Sequence, residues 1–140
     1  MGGVYGRSKA GQLVQQGHYE QAVAEASAAI ERDAADVESR VDRAQAYAAL
    51  DRHAEAAADL EAAVRLDPGD GDIDLDFVDD SYFSALLGVA RAEPVAAGGA
   101  AVLDRYRGLF PAGQHHGDVT EWQARLRGET APQLIIKERD

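Results

Sequence analysis

Cysteine is absent from the 140-residue chain. Its absence excludes disulfides and thiolate metal sites and leaves the redox compartment unmarked. Aromatic residues make up only 6%, so the core must be built largely from small side chains. Long apolar runs are also missing. The most apolar stretch, Ala85 to Leu103, is interrupted by Arg91, Glu93 and Pro94 and is too short to span a bilayer. Met1 to Arg7 lacks the apolar segment of a secretory signal, and a cytoplasmic location is expected. Positive charge is in deficit, with 14 basic against 25 acidic residues and a formal net charge of −11. Such a surface repels nucleic acid and anionic membranes. It suits solubility, or a basic partner. No nucleophile–base pair, phosphate-binding glycine loop or H-E-x-x-H segment is present. Neither enzymatic activity nor a cofactor is expected.

What the chain does have is alanine and a period. Alanine supplies much of the 46% apolar fraction. It is the best helix former and lets helices approach closely. Gly17-His18-Tyr19-Glu20-Gln21-Ala22-Val23 aligns with Asp51-Arg52-His53-Ala54-Glu55-Ala56-Ala57 at an offset of 34. The same offset pairs Ala10 with Ala44, Leu13 with Tyr47, Ala29 with Ala63, Ile30 with Val64, Asp33 with Asp67 and Asp36 with Asp70, without a gap. Ala22, Ala29, Ala56 and Ala63 recur at helical spacing, and the short turns at Gly17 and Asp51 force antiparallel neighbours. Helix pairs this short cannot bury their apolar faces alone, so the units must stack.

The period and pattern resemble the tetratricopeptide repeat. In the unit Val37 to Asp70, Ala44 and Tyr47 stand on the first helix, Ala56 opens the second, and Leu66-Asp67-Pro68-Gly69-Asp70 closes it as that family does. The unit Gly3 to Asp36 departs further, with Ala34 in place of the terminal proline. The resemblance implies an all-α solenoid of antiparallel helix pairs. Its repeats are expected at about 3–36, 37–70 and, in divergent form, 77–110, followed by a capping helix at 118–127. It also implies a concave groove lined by the first helix of each pair, where a peptide or partner helix binds. The groove positions so implied are Arg7, Gly11, Val14 and Gln15, then Glu38, Val41, Gln45 and Ala48, then Tyr82, Leu86 and Val89. Of the residues with which some relatives grip a C-terminal carboxylate, only Arg7 and Gln45 have counterparts here, and Gly11 occupies an asparagine position. Small and apolar groove residues suit an amphipathic helix or an extended apolar segment better.

Beyond Asp70 the period slips. Gly71 to Phe77 alternates apolar and acidic residues and is expected to be an extended linker. A helix is expected from about Asp79 to Ala92. Another follows with Pro94 in its first turn and Ala96, Gly99, Leu103, Tyr106 and Phe110 along it. Gly98-Gly99 predicts a kink or a close contact there. Asp118 followed by Glu121 predicts an N-cap for a last helix that packs Trp122 on the solenoid. Residues 129–140 form a tail, strand-like or loose, with apolar Leu134-Ile135-Ile136 available for docking.

Metal sites find little support. Asp70, Asp72 and Asp74 have calcium-loop spacing, but Leu75 and Ser81 stand where the loop needs glycine and glutamate. His115-His116 with Asp118 lacks further ligands. Arg105, Arg107, Arg125 and Arg127 fit charge balance on a solvated face. The reading is a scaffold that binds a protein or peptide, with self-association and metal-dependent regulation as alternatives.

Overall fold

A computed structural model describes residues 8–67, 74–92 and 98–128. Arg7, the Pro68–Asp70 turn, Asp72, Pro94, Ala96 and the 129–140 tail lie outside them. Among the described residues there are eight helices and no strand. They are α1 (Lys9–Gln15), α2 (Tyr19–Arg32), α3 (Val37–Ala49), α4 (His53–Leu66), α5 (Leu75–Ala92), α6 (Gly99–Val102), α7 (Asp104–Leu109) and α8 (His116–Leu126). Consecutive helices pack through α5, and α1 also packs on α3. The fold is an all-α, tetratricopeptide-like solenoid.

The repeat is written into backbone geometry as well as sequence. Gly17 and Asp51 occupy the same turn, both left-handed, at φ 84° and 62°. In each, the two turn amides return to the preceding helix: Gly17 N to Val14 O and His18 N to Leu13 O, then Asp51 N to Ala48 O and Arg52 N to Tyr47 O. Asp33 and Asp67 end α2 and α4 alike, each donating its amide to an alanine carbonyl four residues back. Asp36 caps α3 by accepting from the Ser39 amide at 3.0 Å and its hydroxyl at 2.8 Å. Ala22 and Ala26 on α2, and Ala56, Ala57 and Ala63 on α4, are buried. They bring neighbouring helices close, while Leu60, Tyr82, Leu86, Leu103 and Tyr106 fill the space between them.

The second half corrects three expectations. Leu75, Asp76 and Phe77 are the first turn of α5, not an extended linker. Asp74 holds that turn, its Oδ1 accepting from the amides of Asp76 and Phe77 at 3.1 and 3.2 Å. The next helix is two short pieces, α6 and α7, joined at Leu103. The junction tightens to three-residue hydrogen bonds, Leu103 N to Ala100 O and Tyr106 N to Leu103 O. The Ala100 carbonyl is also taken by the Gln123 side chain at 2.9 Å. Gly98 is left-handed at φ 115°, and a Cβ on Gly99 would lie 2.5 Å from the Ala90 carbonyl oxygen. The close contact occurs here, whereas Gly98 is the N-cap at which α6 begins. The last helix starts at His116, so Asp118 is inside its first turn and not its N-cap. Its carboxylate takes the His115 ring, and Glu121 pairs with Arg125 instead. Trp122 packs against the core with Arg91 and Arg125 over its ring, and left-handed Gly128 follows the helix end.

Candidate protein-binding groove

The helices α3 and α5, each first in its pair, make little direct contact with one another. Between them opens a cleft of about 380 Å³, within the size range of ligand-holding clefts, about 300–1,000 Å³. Ala44, Gln45, Ala48 and Ala49 form one wall; Asp80, Ser81, Ser84 and Ala85 form the other. Each residue of the second wall stands 36 positions after its counterpart, so the third unit has slipped two residues from the 34-residue period. His53, Ala56 and Leu60 of α4 make the floor, and Phe77, Val14 and Tyr19 complete the lining. Alanine keeps the walls thin, which is what leaves the cleft open. Of the lining residues, Asp80 is the only carboxylate, and none is lysine or arginine.

Several implied groove positions lie elsewhere. Tyr82 and Leu86 are 1% and 0% exposed and belong to the core. The two-residue slip turns them inward and brings Ser81, Ser84 and Ala85 to the cleft. Val41, at 0% exposure, is also core, and Gly11 is buried in α1. Gln15, Glu38 and Val89 are not among the lining residues, whereas Val14, Gln45 and Ala48 are. The signal for the missed wall was present, since Asp74 announces an earlier helix start and hence a shifted register. His53 also lies against Gly88, where any Cβ would collide with its ring. His53 Nε2 is 3.7 Å from Asp51.

Asp80 faces two ways. It lines the cleft, and its Oδ1 lies 2.6 Å from His115 Nε2. The other ring nitrogen of His115 meets Asp118 Oδ2 at 2.8 Å. The ring stacks on Phe83 at 4.5 Å with planes 6° apart. Beneath it, Asp79 accepts from the Tyr106 hydroxyl and from the Gln114 amide, and the His115 amide donates to the Tyr106 oxygen. Burial, then the bond to Asp79, pushes the Tyr106 hydroxyl up to about 12. Asp79, Asp80 and His115 lie close enough to share an ion, but their ligand atoms are engaged in these hydrogen bonds. His116 is separate, with its Nε2 against the Phe110 carbonyl. Three of the C-terminal arginines have local partners: Arg105 with Glu61, Arg107 with Thr120 and Asp104, and Arg125 with Glu121. No described helix is long and apolar enough to cross a membrane.

Residues 37–70, which include α3 and α4, match the tetratricopeptide repeat family. No curated protein and no solved structure matches the chain. Tetratricopeptide repeats are in general non-enzymatic modules of protein–protein interaction. The repeated turns, the matched segment and the stacked helix pairs agree: residues 37–70 are a tetratricopeptide repeat within a tetratricopeptide-like solenoid.

Proposed function

We propose that this chain is a non-enzymatic scaffold that receives the apolar face of a partner helix or segment in the cleft between α3 and α5. The observation that carries the reading is the cleft itself. Its walls are half alanine, its floor includes Leu60 and Ala56, and its one carboxylate is Asp80. Burial of a partner's apolar face supplies the affinity, at ~25 cal/mol per Å² before the costs of association. A cleft with one acid and no lysine or arginine in its lining favours a cation on the partner and disfavours a terminal carboxylate. The chain's net charge of −11 acts in the same direction at longer range.

A second reading makes the occupant another copy of this chain. Leu134-Ile135-Ile136 is followed at once by Lys137, the combination of apolar run and cation that the cleft suits. One experiment addresses both readings. A photo-crosslinking side chain is placed at Ala48, with exposed Ala58 on the same chain as the control, and the crosslinked peptides are sequenced. Adducts to another protein at position 48 and not at 58 support the scaffold. Adducts to residues near 134–137 of a second copy support self-association. Equal crosslinking at both positions contradicts the cleft as the binding surface.

A further inference from the structure

His115 bridges two carboxylates on different helices, Asp80 of α5 through Nε2 and Asp118 of α8 through Nδ1. A neutral imidazole has one N–H and one lone pair. At 2.6 and 2.8 Å from carboxylate oxygens, the lone pair of a neutral ring would face an anion. Only the imidazolium satisfies both contacts. Its ring lies flat on Phe83, and its own amide is fixed to the Tyr106 oxygen. Neither carboxylate is sealed from water, with side-chain exposures of 61% for Asp80 and 52% for Asp118. Either can let go without leaving a buried charge behind.

We propose that His115 is a proton-operated latch on the cleft, which in its charged form ties α8 to α5 and occupies the cleft carboxylate, and on losing its proton frees one carboxylate and leaves the cleft more negative. This deepens the cleft reading and rests on it. The charged and titratable groups around the ring are Asp79 and Asp80 of α5, Tyr106 of α7 and Asp118 of α8, with Asp76 one step away through Gln114. Burial of the ring works against the proton, but the bonds to Asp80 and Asp118 and the charges of Asp79 and Asp80 outweigh it, and the net direction is upward. The sign follows from linkage. The stabilising link is complete below the ordinary imidazole range near pH ~6.5 and is lost as pH climbs through the raised value. A cation in the cleft competes with His115 for Asp80, so a lysine-bearing partner binds more tightly on the alkaline side.

The test uses the intact chain with His53→Gln, because His53 is a second imidazole in the lining of the cleft. The probes are a fluorescent amphipathic peptide of leucine, alanine and glutamine with one central lysine, and its counterpart with glutamine at that place. Anisotropy is read at about pH 6 and about pH 9, where lysine is still charged. The His115 ring is followed by NMR over the same range. The lysine peptide is expected to bind about three- to tenfold more tightly at the higher pH, the glutamine peptide equally at both, and the gain to vanish in His115→Gln. Asp118→Asn is expected to lower the pH at which the ring titrates and to move the affinity step with it; it serves also should His115→Gln not fold. A ring that titrates at or below the ordinary range overturns the latch. So does a gain that survives in His115→Gln, or no gain in the unaltered latch. If neither peptide binds at any pH, the cleft reading fails, and the ring titration with and without Asp118→Asn decides the latch alone.

Discussion

At the scale of single residues, buried carboxylates show how each charge is met. Asp59 takes a bidentate pair of bonds from Arg43 at 2.7 and 2.8 Å, and Arg43 reaches on to the Ser27 hydroxyl. That fork joins α2, α3 and α4 through one guanidinium. Asp79 receives a hydroxyl and an amide. Asp42 receives only the Ser8 hydroxyl, at 2.6 Å, and its Oδ1 has no partner although the residue is 0% exposed. Burial, against the smaller opposing effect of the Ser8 bond, pushes the Asp42 carboxyl up to about 7. The folded chain therefore holds a proton that the unfolded chain releases near pH ~4. Stability falls as pH rises from that point to about 7 and then levels, by an amount on the order of a few kcal/mol. Asp42→Asn keeps the contact with Ser8 and removes the charge. Urea unfolding is expected to show the variant more stable than the parent at about pH 8 and nearly equal to it at about pH 4. A variant weaker at both would mean that Asp42 is stabilising as an anion.

At the scale of elements, the first two helix pairs were legible in the sequence because turn, alanine spacing and terminal aspartate all repeat at one offset. The Gly17 and Asp51 turns show why the offset holds, since both need a left-handed residue after the first helix. Aspartate tolerates that conformation at a cost that glycine avoids. Asp51→Gly is expected to raise stability by about 0.5–1 kcal/mol, measured as a shift in the urea midpoint without a change in slope. No gain would place the benefit of Asp51 in its contact with His53. The third unit was harder to read for physical reasons. Alternation of Ile73, Leu75 and Phe77 with aspartates mimics a strand, and only the cap at Asp74 shows that helix geometry begins there. At the break near Leu103, Gln123 reaches back from a distant helix to the Ala100 carbonyl, a contact that no local pattern encodes. The carboxylate of Asp118 looked like a cap by spacing, but the nearby imidazole captured it. The cleft residues of α5 follow a 36-residue step and not 34, and a slip of two residues turns a helix by about 200°.

At the scale of the whole molecule, helix pairs stacked at a nearly constant step expose two kinds of surface. The chain carries a net charge of −11, while the cleft between α3 and α5 has a single carboxylate and a largely small and apolar lining. The cleft lies between α3 and α5, and alanine holds four of its wall positions. Function on this account resides in that spacing and not in any reacting group. Alanine methyl NMR reads it directly, since Ala44, Ala48, Ala49 and Ala85 report from the walls and Ala58 from the outer face. Titration with the lysine-bearing amphipathic peptide is expected to shift the four wall methyls together and to leave Ala58 unmoved. Shifts centred on Ala58 and the outer faces of α2 and α4, with the wall methyls silent, would contradict the account.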